Sequence, residues 1–518
     1  MNPLARFLLM SLALVLCRAD AHAAPAGAWS RSGYDRLVEA VAAQYHLPGI
    51  AVGVIADGKV VYTRTMGNLE SGKPIDTDTL FKIASNSKAM TVTLLARLVE
   101  EGKLHWDDPV TKYLPSFRMY DPWVTANMQV GDLLVHHSGL PEGAGDLMLW
   151  PEPNHFTPED VVRGLRYLKP AYSFRAGYAY DNTLYIVAGQ VAAAAGGAPY
   201  PTLMRREVFQ PLGMSRCQIG TWNRDEVGNV ARPHVWRDGH YVELPAAGPV
   251  VQPATMDAAG GVRCSLNDML IWAMNWLAPT AKQLAWLPPG ERRKEWTGYT
   301  PMPISARQHA WDGTLFYSYG YGWRIADVDG RITVSHTGTL SGMYSAVTLL
   351  PFQKSGYVFL IDADAENARA VLNEVLTKTF TAPRKARSVA SYADELERQD
   401  RRQQVSRVPD TSSRKPATPL DLEGRLGVWR DPWFGDVRIC ARGGDVFFAS
   451  QKSPELAGQV MRVGDHYLVH WANDNSEAWL LFTGHAATDS LHMAKVDPDA
   501  DFSDDYEDLS FKREHACE

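Results

Sequence analysis

The chain has 518 residues, of which 45% are hydrophobic, 21% charged and 10% aromatic, and its net charge is −7. That length exceeds what one hydrophobic core usually supports, so two or more globular domains are expected. With no basic excess to neutralise phosphates, a nucleic-acid partner is excluded.

Residues 1–23 read as a signal peptide: Arg6 supplies the positive region, Phe7 to Leu16 the apolar run, and Ala21-His22-Ala23 a small-residue cleavage site. Cys17 follows a bulky Leu16 where a lipoprotein signal needs a small residue, so lipidation is not expected. The run is too short to span a bilayer, and no later stretch is long enough. The expectation is an exported protein, periplasmic or secreted, without stable membrane insertion after signal removal. Export places Cys217, Cys264, Cys440 and Cys517 in an oxidising compartment. Four cysteines allow three pairings. Cys217 with Cys264 and Cys440 with Cys517 keeps each bridge inside one predicted domain, and buried free thiols are the competing reading.

Past the signal, Tyr34 to Tyr45 has helical periodicity, stopped by Leu47-Pro48-Gly49. Ile50 to Ile55 and Lys59 to Arg64 are β-branched runs joined by the turn Ala56-Asp57-Gly58. A helix is predicted from Ser87 to Glu101, ended by Gly102, with Phe81-Lys82-Ile83-Ala84-Ser85-Asn86 leading into it. The middle third reads as mostly helical, with segments at Pro158 to Tyr167, Asn182 to about Ala195, Leu203 to Val208 and Leu266 to Trp276. Pro279 to Tyr319, rich in Pro, Trp, Tyr and Arg, reads as a long loop forming a wall of a cleft. Strands return at Gly322 to Ala326, Arg331 to Ser335, Tyr344 to Leu350 and Gly356 to Ile361, before a helix from Asn367 to Phe380. Elements at both ends of residues 24–380 are therefore expected to share one antiparallel sheet, flanked by terminal helices and a helical lobe. Residues 381–420 are charged and apolar-poor and read as a linker carrying one helix, Ser391 to Arg402. Residues 421–518 alternate short strands with Gly and Asp turns, the pattern of a small all-β barrel or sandwich.

Chemistry concentrates at Ser85 and Lys88. Residues at i and i+3 on a helix lie with β-carbons about 5–6 Å apart, so a hydroxyl and an amine can share one space. A serine attacks an acyl carbon well only when a neighbouring base takes its proton. The spacing alone is weak, since Ser412 and Lys415 repeat it inside the linker. Tyr180-Asp181-Asn182, the only Tyr-x-Asn in the chain, adds a phenol able to relay a proton and an amide able to hold a substrate. His336-Thr337-Gly338 ends a predicted strand, where a backbone N–H at Thr339 can face an oxyanion. His137-Ser138-Gly139 matches the same short pattern from the helical lobe. His136 and His137 lack a third ligand at metal spacing, and neither a metal nor a cofactor is called for. The acidic run from Asp497 to Asp508 has Phe502 where a calcium loop needs glycine, and reads as a solvated loop.

Taken together these residues resemble the serine β-lactamase and penicillin-binding-protein superfamily, in the branch of class C enzymes, D-aminopeptidases and related esterases. The resemblance covers about residues 30 to 380 and includes Glu101-Gly102-Lys103-Leu104, His137-Ser138-Gly139-Leu140, Pro211-Leu212-Gly213-Met214 and Gly260-Gly261 with Asp268. It implies an α+β β-lactamase/transpeptidase-like fold, followed by a lipocalin-like barrel similar to those appended to many family members. It further implies Ser85 as acylated nucleophile, Lys88 as its base or base partner, Tyr180 as second proton carrier and Asn182 as substrate holder. His336, Thr337, Gly338 and Thr339 would line the substrate, with the N–H groups of Ser85 and Thr339 as the oxyanion hole. The departure is His336, where many relatives carry a lysine that meets a substrate carboxylate. The expected function is an exported serine hydrolase acting through an acyl-enzyme on small amide or ester substrates. A true class C-like β-lactamase or D-Ala-D-Ala carboxypeptidase is the alternative within the class, and a non-hydrolytic acyl-binding sensor or pseudoenzyme the alternative outside it.

Overall fold

The computed structural model describes residues 30–245, 248–473, 476–484 and 490–517, the side chains of 403–407 excepted, so the segment read as a signal lies outside the described residues. Two all-antiparallel sheets organise the chain. The first has eight strands in the order Lys59–Gly67, Gly49–Ala56, Ser355–Ile361, Met343–Leu350, Arg331–Leu340, Arg324–Val328, Tyr317–Tyr319 and Thr300–Pro301. The first hairpin and the last strands of residues 30–380 thus join in one sheet, as the two-ended pattern implies. Gly49–Ala56 is buried at every position but its last, because both faces of the sheet are covered. Ile50, Val52 and Val54 pack with Val38, Val371, Leu372 and Val375 of the terminal helices Arg31–Gln44 and Glu366–Thr381. Ala51 and Ile55 face the helical lobe.

Pro279 to Tyr319 corrects the sequence reading. It folds into three short helices, Ala281–Trp286, Pro289–Glu295 and Ala306–Asp312, and two strands that extend the sheet. Two of those helices begin with reciprocal caps, Thr280 with Gln283 and Ser305 with Gln308. Within 381–420, Val389–Arg407 forms a 19-residue helix. Its Val389, Tyr392 and Leu396 join the apolar cluster of the terminal helices.

In the C-terminal region, eight strands from Gly427–Asp431 to Ser510–His515 pair in sequence, and the first also pairs with the last. Closure leaves a barrel rather than a sandwich, with no free edge along its ladder. The disulfides are Cys217–Cys264 and Cys440–Cys517, one in each region. Phe156 of the lobe packs on Phe434 of the barrel at 5.6 Å between ring centres, and the His155 N–H donates to the Lys452 carbonyl at 2.7 Å. Barrel and lobe thereby share one apolar cluster. Among the described residues, no helix is long and apolar enough to cross a membrane.

Candidate active site

Ser85 sits in a single 3-10 turn, Ala84–Asn86, immediately before the helix Ser87–Glu100. Ala84 holds φ of +49°, a left-handed conformation that costs a non-glycine residue about 1 kcal/mol or more. The surroundings enforce it. The Ser345 hydroxyl donates to the Ile83 carbonyl at 2.8 Å and accepts from Asn86 Nδ2 at 2.8 Å, pinning the turn to the strand Met343–Leu350. Gly338, paired with Ser345, lies so close that a Cβ there would stand 2.2 Å from the Ile83 oxygen and 3.0 Å from Ala84 Cβ. Only glycine lets this strand approach the turn that carries Ser85.

Lys88 has no exposed surface. Its Nζ lies 3.2 Å from Ser85 Oγ, 2.6 Å from Asn182 Oδ1 and 3.1 Å from the Ala259 carbonyl oxygen. All three partners are neutral oxygens. The amine also stands 4.8 Å from the centre of the Tyr180 ring. The Tyr180 hydroxyl is buried without a hydrogen-bond partner, a condition that costs about 1–3 kcal/mol and is retained where function uses the group. Ser85, Lys88, Tyr180 and Asn182 thus converge on one site from two stretches of sequence.

The Tyr180 segment is held by the residues of the competing His-Ser-Gly match. His136 Nδ1 accepts from the Asp181 N–H at 3.1 Å, and the Ser138 hydroxyl donates to Asp181 Oδ2 at 3.0 Å. His137 pairs with Asp132, which also takes the Arg175 guanidinium. Among the described residues, no group of three or more side chains could hold a metal ion.

His336 is fully buried. Its Nδ1 faces the Thr337 carbonyl at 2.7 Å, which can only accept, so Nδ1 carries the hydrogen and Nε2 accepts from the Tyr319 hydroxyl at 2.8 Å. Burial, with Arg324 and Lys88 nearby, pushes its pKa well below the usual histidine value. It is a neutral imidazole with both nitrogens engaged.

Positive charge reaches this strand from residues that carry no motif. Pairing between Arg324–Val328 and Arg331–Leu340 ends at Arg324 with Ser335, so residues 336–340 are unpaired on that side. Arg324 stands at that point. Its Nη1 donates to Thr337 Oγ1 at 2.7 Å, its guanidinium carbon lies 6.0 Å from the Tyr180 ring centre, and its Nε is buried without a partner. Arg369 donates to the Gly338 carbonyl at 3.0 Å and to the Thr339 hydroxyl. A cavity of about 470 Å³ lies between the sheet face carrying Thr333, Ser335 and Thr337 and the helix Glu366–Thr381; Arg324 and Arg369 line it, but Ser85, Lys88 and Tyr180 do not.

Sequence reasoning missed Asp146 as well as these arginines. Asp146 is fully buried and its Oδ2 accepts from Asn182 Nδ2 at 2.8 Å. Burial drives its pKa well above the usual carboxylate value, against the hydrogen bonds from Asn182 and Ser503. That serine belongs to the acidic run 497–508, which is exposed at Asp499, Asp501 and Glu507, as a solvated loop would be, but docks on the site through Phe502, Ser503 and Asp505. The Ser503 hydroxyl donates to Asp146 Oδ2 at 2.8 Å, Asp505 accepts from the Gly145 N–H, and the Phe502 ring meets Tyr180 edge-on at 5.8 Å.

A serine and a buried lysine seated between an antiparallel sheet and a helical lobe define a serine hydrolase of the β-lactamase/transpeptidase fold. The Beta-lactamase family model matches residues 34–379, and the chain belongs to that family. It is 25% identical over 386 residues to "Unguisins hydrolase ungD'" of Aspergillus campestris, covering 71% of this chain and 68% of that protein. It is 31% identical over 267 residues to "Esterase EstB" of Burkholderia gladioli, covering 46% and 67% respectively. With three further curated relatives the match spans 60 to 63% of their length. Among solved structures, the octameric penicillin-binding protein homologue from Pyrococcus abyssi aligns with TM-score 0.58 at 19% identity, over 92% of this chain and 98% of that one. At that identity the likeness is one of fold, and it takes in the barrel.

Proposed function

We propose that the protein is an exported hydrolase that forms an acyl-enzyme on Ser85 from small amide or ester substrates. The observation that carries this reading is Lys88 Nζ at 3.2 Å from Ser85 Oγ, fixed there by Asn182 and the Ala259 carbonyl. Ser85 Oγ attacks the substrate carbonyl carbon and its proton passes to Lys88. The backbone N–H groups of Ser85 and Thr339 take the developing oxyanion. The unpartnered Tyr180 hydroxyl delivers a proton to the departing nitrogen or oxygen as its bond to carbon breaks, and recovers one from Lys88, which returns to the neutral amine. Water then attacks the ester on Ser85, giving the acid and restoring the serine. An extended substrate fits the unpaired edge 336–340 by adding as a strand, with Asn182 holding its amide. The two disulfides support folding in an oxidising compartment.

Arg324 favours a second reading within this class. A substrate with a carboxylate beyond the scissile bond, as in a β-lactam or a peptide ending in D-alanine, would meet a fixed cation there even though His336 is neutral. Screening nitrocefin, nitrophenyl esters and D-amino-acid nitroanilides separates these substrates. Ser85→Ala tests both readings: turnover and labelling by a serine-directed probe are expected to vanish with the circular dichroism spectrum unchanged. Retained labelling would sink the assignment.

A further inference from the structure

The barrel contributes to the active site through one hydrogen-bonded line. Lys88 Nζ donates to Asn182 Oδ1 at 2.6 Å, and Asn182 Nδ2 donates to Asp146 Oδ2 at 2.8 Å. The Ser503 hydroxyl donates to that same oxygen at 2.8 Å across 357 residues of sequence. An amide side chain has two nearly interchangeable orientations, and the one adopted turns Oδ1 to Lys88 and Nδ2 to Asp146. Asp146 holds that orientation by accepting from Nδ2, the end of the amide that Lys88 does not take. Asp146 in turn needs a partner, since its Oδ1 is buried and unpaired. Ser503 is the second donor to its carboxylate.

The loop bearing Ser503 is seated, not merely adjacent. A Cβ on Gly143 would fall 2.4 Å from the Phe502 carbonyl oxygen, so the glycine is what admits the loop. Asp505 accepts the Gly145 N–H one residue before Asp146. Phe502 covers Tyr180 at 5.8 Å between ring centres. The loop is therefore fixed at three successive points along residues 143–146.

We infer that Ser503 of the C-terminal barrel is a positioning residue for catalysis: through Asp146 it fixes the Asn182 amide, and with it the place of Lys88 beside Ser85. It touches neither substrate nor reacting atoms. The inference rests on the acyl-enzyme reading, and the test separates the two. The full-length protein is treated with a fluorophosphonate, and the rate and site of labelling are read by intact mass and peptide mapping. The site of labelling reports on the hydrolase reading, since it is either Ser85 or another residue. The rate in variants reports on Ser503 and needs no knowledge of the natural substrate.

Ser503→Ala is expected to lower the limiting labelling rate about ten-fold while changing the half-saturating probe concentration less than about two-fold, the signature of a misplaced catalytic group rather than weaker binding. Ser503→Thr keeps the hydroxyl and is expected to recover most of the loss. A packing role would slow both variants alike and lower both melting temperatures. The inference is overturned if Ser503→Ala labels at the wild-type rate, if Ser503→Thr is as slow as Ser503→Ala, or if the change is confined to half-saturation.

Discussion

Replacing Arg324 with glutamine is the perturbation that best separates the substrate classes. Arg324 makes no ion pair among the described residues. One of its nitrogens is committed to Thr337 at 2.7 Å, and Nε is buried with no partner. A carboxylate lying along the free edge 336–340 would find the remaining donors of a planar fork already desolvated and oriented. Gross attraction between unit charges at 4 Å and an effective dielectric near 20 is about 4 kcal/mol. Loss of solvent from both ions reduces this to the range of charge-assisted hydrogen bonds, about 1.5–3 kcal/mol net. At about 1.4 kcal/mol per decade, that is roughly 10- to 150-fold. Arg324→Gln should therefore lower kcat/KM by that factor for a carboxylate-bearing amide or β-lactam, and by less than about three-fold for a neutral nitrophenyl ester. Arg324→Lys should fall between, since an ammonium cannot pair side-on. The assay is steady-state kinetics on a matched pair of substrates, with and without the carboxylate. Equal losses on both would show that Arg324 only packs the site, and would refute the reasoning.

Two other perturbations test the frame around the site. Gly338→Ala would place a Cβ 2.3 Å from Ser345 Oγ and 2.2 Å from the Ile83 oxygen. The strand must withdraw from the turn that carries Ser85, and thermal denaturation should show about 1–3 kcal/mol lost, with esterase activity falling more than about 100-fold. Asp362 is almost fully buried, and burial pushes its pKa up to about 7. The folded state then holds a proton that the unfolded chain releases near pH 4, so stability falls as pH rises from about 4 to 7, by up to about 4 kcal/mol. Asp362→Asn should flatten that decline in urea denaturation at pH 5 and pH 8. An unchanged slope would place the titration elsewhere.

What was legible in the sequence was local. Ser85 with Lys88 and Tyr180 with Asn182 declare themselves because short spacings along the chain fix their geometry, and their order along the chain adds weight. Two short helices in 279–319 were also announced, by Thr280-x-x-Gln283 and Ser305-x-x-Gln308, although proline and aromatic content masked the signal. The strands Thr300–Pro301 and Tyr317–Tyr319 are too short for alternation to show. Arg324 reaches the site because its strand stops pairing at Ser335, which is a fact of register that no motif encodes. Asp146 and Ser503 meet across 357 residues. The acidic run reads as solvated for the same reason, since charge content reports the usual environment of aspartate and not the lobe surface waiting for it.

These placements relocate the question of specificity. His336 stood where relatives carry a lysine, and a neutral imidazole there argued against substrates bearing a carboxylate. The imidazole is turned inward instead, donating to the Thr337 carbonyl and accepting from Tyr319. Its part is to hold the strand end that Arg324 and Arg369 grip through Thr337, Gly338 and Thr339. A guanidinium on the next strand has a longer reach than the missing ammonium and a planar face that meets an anion from the side. The histidine therefore does not remove the cation from this site. The cation comes instead from the neighbouring strand, where Arg324 stands at the last paired position and donates to Thr337 Oγ1 at 2.7 Å.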